Sequence, residues 1–223
     1  MIQRPYSKKY ATVSSFFLAL LAALTVNGAD PPVVREATPE AIRTFFKAKK
    51  MRVLTFAGYS GAGYENNAVM LRQATQVLSR FDPKKTIVNI GATPDGIGAV
   101  YELAKQKSFL TTGIVSTQAK ENKVPLSPFA DVVFYVKDAS WGGFLPGTKQ
   151  LSPTSLAMIE NSDVIVAIGG GEVAKDELSA AKRTRKRVEF YPADFNHRVA
   201  SEKAQKKGQP VPTNFRGAAS TLF

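Results

Sequence analysis

The chain has 223 residues, 44% of them hydrophobic and 10% aromatic, enough apolar mass for a core in one domain of moderate size. It has no cysteine and one histidine, His197, which excludes disulfides, thiolate nucleophiles, zinc ribbons, a bacterial lipoprotein anchor and any multi-histidine metal site. Its net charge is +12, which raises nucleic acid as a partner to be weighed.

Residues 1–29 read as a secretory signal. Arg4, Lys8 and Lys9 form a basic start, Ala11 to Val26 is an apolar stretch, and Val26-Asn27-Gly28 or Asn27-Gly28-Ala29 offers small residues for cleavage. The run falls short of the roughly 20 apolar residues of a permanent span, so it predicts transient membrane contact and a periplasmic or secreted protein. A retained anchor is the competing reading. Cleavage would leave 27 basic against 18 acidic residues, because the segment holds three bases and no acid.

Residues 30–50 read as an N-terminal extension and helix. Asp30 to Thr38, with its double proline, is an extended lead-in. Thr38-Pro39-Glu40 then supplies an N-cap, a proline at the first helical position and an acid, starting a helix that runs to about Lys49.

Residues 51–192 alternate. Short apolar runs at Arg52–Phe56, Thr86–Ile90, Thr111–Val115, Ala130–Val136, Val164–Ile168 and Val188–Tyr191 read as strands. Helical periodicity fills Glu65–Arg80, Gly96–Lys107, Pro153–Asn161 (with Ser152 as N-cap) and Glu172–Lys182. This alternation predicts an α/β fold: a doubly wound, mostly parallel, Rossmann-like sheet in three α/β/α layers. Residues 193–223 form a basic C-terminal tail in which the pattern fades, and docking or mobility both stay open.

The bases gather at Lys47–Arg52, Lys182–Arg187 and Lys203–Lys207, at predicted helix ends or in the tail, with no aromatic residues interleaved for base stacking. They read as solvated helix ends complementing the dipole, so no nucleic-acid partner is expected.

Three strand ends carry glycine-rich loops: Gly58-Tyr59-Ser60-Gly61-Ala62-Gly63, Gly91-Ala92-Thr93-Pro94-Asp95-Gly96-Ile97-Gly98, and Gly169-Gly170-Gly171. In an open parallel sheet, ligands sit beyond the carboxyl ends of the strands, so the loops would face one crevice. The last is the strongest signal. A buried strand, a glycine bend and a helix start would let main-chain amides approach an anion at the positive end of the helix dipole. Candidate ligand- or phosphate-binding residues are therefore Gly58, Tyr59, Ser60, Gly61, Gly91, Thr93, Gly96, Gly169, Gly170, Gly171 and Glu172. The loops match neither the G-x-G-x-x-G spacing nor a P-loop, which needs a lysine after its last glycine. Gly58-Tyr-Ser-Gly-Ala62 falls one glycine short of a nucleophile elbow, and His197 is the one possible base for it. Asp95 is expected to cap the following helix. The Trp141-Gly-Gly-Phe-Leu-Pro-Gly147 loop could cover a base or sugar, or pack on the sheet edge.

Gly169-Gly-Gly-Glu-Val-Ala-Lys-Asp-Glu177 resembles a degenerate form of the P-G-G-x-G-T-x-x-E signature of Lonely Guy-type nucleotide phosphoribohydrolases, the lysine-decarboxylase-like members of the SLOG superfamily of Rossmann-like nucleotide-binding domains. Val53-Leu-Thr-Phe-Ala-Gly-Tyr-Ser-Gly61 sits where that group has its first glycine/serine turn. Gly169 replaces the signature's proline, Val173 its third glycine and Ala174 its threonine, and no arginine lies between Leu151 and Ile168. The resemblance implies a nucleotide or other phosphorylated small molecule as partner, with Glu177 as the counterpart of the catalytic glutamate. Two readings follow: an N-glycosidic or phosphoribosyl hydrolase, or an inactive nucleotide sensor or structural protein. The cofactor is left unknown, no metal site is expected, and a homodimer is left open.

Overall fold

The computed structural model describes residues 31–61 and 63–223, so the expected signal segment lies outside the described residues. Seven strands form one fully parallel sheet: β1 (Val33–Glu36), β2 (Arg52–Gly58), β3 (Thr86–Ile90), β4 (Leu110–Ser116), β5 (Val132–Val136), β6 (Val164–Ile168) and β7 (Arg187–Tyr191). Their spatial order is β1-β5-β4-β3-β2-β6-β7. From β2 the chain winds outward through β3, β4 and β5, then returns to lay β6 on the opposite side of β2. β2 and β6 therefore mark the switch point, paired in register from Leu54–Val164 to Gly58–Ile168. In such sheets the crevice beyond that point is the habitual ligand site.

The period-2 alternation of the strands decides the layers. Leu54, Phe56, Val88, Ile90, Val164, Val166 and Ile168 pack against α2 (Asn67–Leu78) and α3 (Val100–Gln106). The alternate residues Val53, Ile87, Ile114 and Phe134 meet α1 (Pro39–Lys49) and α5 (Pro153–Glu160). Ala57, Ile165 and Ala167 meet α5 and α6 (Glu172–Arg183). This is the three-layer α/β/α arrangement expected from the strand–helix alternation. Buried on both faces, the central strands read as continuous apolar runs. No helix among the described residues is long and apolar enough to cross a membrane.

Local chemistry starts the helices. Thr38 Oγ1 accepts the Ala41 amide at 3.3 Å, with Pro39 in the first turn of α1, and Asn66 Oδ1 accepts the Val69 amide at 2.9 Å at the start of α2. Two expected caps differ. Asp95 precedes a 3-10 turn, Gly96–Ala99, without any side-chain capping bond. Ser152 holds the N-cap position of α5, but its hydroxyl does not cap; Asp138 Oδ2 takes the Thr154 amide at 2.9 Å instead.

Both ends of the chain contribute more than expected. Val33–Glu36 pairs with β5 as the outer strand, its four residues all exposed, where the double proline suggested only a lead-in. A short α4 (Thr117–Glu121) follows β4, and α7 (His197–Lys206) forms within the segment read as a patternless tail. The tail docks. Phe223 stacks on Phe190 of β7 with ring centroids 4.5 Å apart, and Lys182 Nζ donates to the Leu222 carbonyl at 2.6 Å. Basic residues occupy the last turns of α1, α6 and α7, where they complement the helix dipoles.

Candidate functional site

A cavity of about 480 Å³ opens beyond the carboxyl ends of β2, β3 and β4, at the switch point. Its lining takes in strand-end residues: Ala57 and Gly58 of β2, Ile90 of β3 with Gly91 just after it, and Val115 of β4. Of the sequence candidates, Gly58, Tyr59, Ser60, Gly61, Gly91, Thr93, Gly171, Glu172 and Glu177 line this one cavity. Gly96, Gly169 and Gly170 do not.

The triple-glycine bend is where the structure departs from the expectation. Gly169 adopts φ +57°, a conformation that favours glycine, and a Cβ there would sit 2.5 Å from Tyr59 Cε2. Its amide donates to the Tyr191 carbonyl at 2.8 Å, and the Gly170 carbonyl accepts from Ala219 at 3.1 Å. Both glycines are buried. Tyr59 explains the closure: its hydroxyl donates to the Ala193 carbonyl at 3.0 Å and accepts the Gly217 amide at 2.7 Å, pinning the chain end over the bend. Burial raises the Tyr59 pKa, so the phenol stays neutral and able to donate. Gly169 and Gly170 thus pack against the tail and lie outside the cavity lining, apart from the other candidate ligand residues. Gly96, with φ +61°, lies against the Tyr59 carbonyl, which also accepts the Ile97 amide at 2.7 Å. It shapes the loop instead of facing the cavity.

Gly171 is different. A Cβ there would meet nothing within 4 Å, and no side chain caps α6. Intrahelical bonding begins with the Lys175 amide and the Gly171 carbonyl. The first-turn amides of Glu172, Val173 and Ala174 precede that bond, at the positive end of a 12-residue helix, and these residues line the cavity. The anion-attracting feature lies one turn further along than the bend itself.

Glu177 stands one turn deeper on the same helix. It lies deep in the protein yet keeps partial exposure through the cavity it lines. Burial pushes its pKa up to about 7, with the neighbouring Asp176 adding repulsion, against a lowering hydrogen bond from Ser155. Ser155 Oγ donates to Glu177 Oε1 at 2.6 Å and accepts the Gly143 amide at 2.8 Å. Asp176 Oδ2 takes the Phe144 amide at 2.9 Å. Two adjacent acids of α6 therefore hold the loop that carries Trp141, directly or through Ser155. A carboxyl near neutrality at a pocket wall can give or take a proton, or grip a hydroxyl.

Thr55 Oγ1 and Ser162 Oγ lie 2.6 Å apart, and Asn89 Oδ1 accepts from Thr112 Oγ1 at 3.0 Å. These buried hydroxyls and the amide satisfy one another. Thr93 Oγ1 accepts the Asp95 amide at 3.3 Å, so it shapes its own loop while lining the cavity.

Sequence reasoning overlooked Ser155, Thr154, the Val124–Leu126 segment and Lys203. Ser155 sits on α5, remote in sequence from any glycine loop, and no local pattern marked it. Lys203 of α7 is the one lysine or arginine among the cavity-lining residues described. His197 does not line the cavity. It stacks on Phe215 at 3.9 Å, with Nε2 3.3 Å from Asp194 Oδ2, so Ser60 gains no base from it there.

No protein-family model and no curated protein matches the chain. Among solved structures it is similar to TM1055, a structural-genomics protein, at 22% identity over 62% of this chain and 72% of that one, with a TM-score of 0.43. It is also similar to the molybdenum cofactor carrier protein of Chlamydomonas reinhardtii, at 17% identity over 77% of this chain and 96% of that one, TM-score 0.45. The molybdenum cofactor binding protein of Rippkaea orientalis is 19% identical over 63% of this chain and 76% of that one, TM-score 0.45.

Proposed function

We propose that the chain binds a nucleotide or another phosphorylated small molecule in the cavity beyond the carboxyl ends of β2, β3 and β4. One observation carries this reading: the uncapped first turn of α6 and the enclosed Glu177 share one wall of a cavity at the switch point. A volume of about 480 Å³ falls within the range of small-molecule sites, roughly 300–1,000 Å³. The anion would rest on the amides of Gly171 to Ala174, and Glu177 would meet a hydroxyl of the attached group. Lys203 at the cavity and the chain's positive charge favour an anionic guest. Thermal shift with nucleoside monophosphates, ribose 5-phosphate and inorganic phosphate tests it. A rise in Tm that grows with ligand concentration is expected; no shift with any of them overturns it.

A second reading, cleavage of an N-glycosidic bond, is favoured by the near-neutral carboxyl of Glu177. The C–N bond to the base would break as the base takes a proton from Glu177. Water would add its hydroxyl to the anomeric carbon and return a proton to the carboxylate, leaving free base and ribose phosphate. Release of base by the wild type, lost in Glu177→Gln, is the expected result. Binding without release leaves a sensor.

The proposal includes export through residues 1–29. A mature N-terminus near Asp30 on protein recovered outside the cytoplasm supports it, and an intact Met1 on that protein contradicts it.

A further inference from the structure

Exposed apolar side chains gather on the lining of the cavity. Three large hydrophobic side chains left exposed in this fold lie on its lining: Trp141 at 52% exposure, Val124 at 38% and Val173 at 38%. They come from three separate segments, and Pro125 and Leu126 extend the same rim. Exposed apolar groups are ordinary when scattered, but here they converge on one opening.

Trp141 is held there. Asp138 Oδ1 takes the Ser140 amide at 2.8 Å, Ser140 Oγ takes the Gly142 amide at 3.2 Å, and Gly143 and Phe144 are tied to Ser155 and Asp176 as described. Backbone bonds thus fix the residues on both sides of Trp141 while its ring stays half in solvent. A large ring left exposed on a braced loop loses little entropy when a flat partner covers it.

Spacing connects this ring to the anion site. Gly142 packs on α6 so closely that a Cβ there would come within 3.1 Å of Val173 Cγ1. The residue beside Trp141 therefore touches the first turn of α6. A ligand whose anion sits on that turn has Trp141 within the reach of one short linker.

We propose that Trp141 is a stacking platform for a planar heteroaromatic ring, with the Val124–Leu126 segment completing the apolar rim, so that the cavity takes ring and phosphate together. The ligand class is a nucleoside monophosphate, in preference to a sugar phosphate or free phosphate. The inference rests on the binding proposed above and adds the ring to it.

Trp141 is the only tryptophan of the chain, so its fluorescence reports this site alone. The test titrates the wild type, Trp141→Ala and Trp141→Phe with the four common nucleoside monophosphates and ribose 5-phosphate, with affinities from calorimetry and fluorescence read on the wild type. Expected are quenching of the wild type by at least one nucleotide and little change with ribose 5-phosphate. Trp141→Ala should weaken that nucleotide about tenfold or more, the usual scale for losing an aromatic platform under a base. Trp141→Phe should restore most of the affinity, and ribose 5-phosphate should bind all three proteins alike. Equal weakening of nucleotide and ribose 5-phosphate, or no weakening of either, overturns the stacking role while the phosphate site stands. Binding of none of these compounds overturns both.

Discussion

Ser155 Oγ lies 2.6 Å from Glu177 Oε1, so a helix on one side of the cavity positions the carboxyl of its neighbour. Burial nevertheless holds the Glu177 pKa up at about 7 from an ordinary 4.5. Between those pH values the folded protein binds a proton that the unfolded chain has released. Stability from this group is therefore full below pH 4.5, falls as the pH rises to 7, and stays low above it. Glu177→Gln removes the dependence. Near pH 4 the variant should melt close to the wild type, and at pH 8 it should be more stable by up to about 3 kcal/mol. Thermal melts at the two pH values check this; an equal gap at both contradicts it.

Tyr59→Phe removes the donor to Ala193 and the acceptor for the Gly217 amide. An unpaired, partly buried amide costs about 1–3 kcal/mol, which lowers Tm by several degrees in a domain of this size. Hydrogen exchange should rise at Gly217 and Ala219 before it rises in the sheet. Unchanged exchange in that segment would show that the phenol does not hold the chain end.

The three glycines of the bend should behave unequally. Gly169→Ala places a Cβ at φ +57° against the Tyr59 ring and should cost stability clearly, on the order of 1–3 kcal/mol. Gly171→Ala, at φ −86° with open space around it, should fold like the wild type and lose affinity for phosphorylated ligands. Denaturant midpoints and titrations of both variants check the split. Equal stability loss in the two variants would contradict it.

The layers were legible because buried parallel strands carry continuous apolar runs, as in Val164–Ile168, and because Thr38-Pro39 and the proline before Thr154 announce helix starts. β1 was not. Val33–Glu36 is four exposed residues with no alternation, and only its partner β5 makes it a strand. The tail was obscure for a related reason, since its packing uses isolated residues, Phe223 and Ala219, placed by tertiary contact. In the site, glycine loops pointed to the right edge of the sheet. They could not show that Tyr59 would fill the bend, because that depends on Ala193 and Gly217, more than 130 residues away. Topology alone brings Ser155 to Glu177 and Lys203 to the cavity.

The most direct test observes backbone amides by nitrogen-15 NMR while adenosine monophosphate, and separately inorganic phosphate, is added. The expected result is that Gly171, Glu172, Val173 and Ala174 shift together and saturably, while the amides of Gly169 and Gly170 move far less. If both compounds leave those four amides unmoved, or shift only the basic last turns of α1, α6 and α7, the cavity beyond β2, β3 and β4 does not hold the anion.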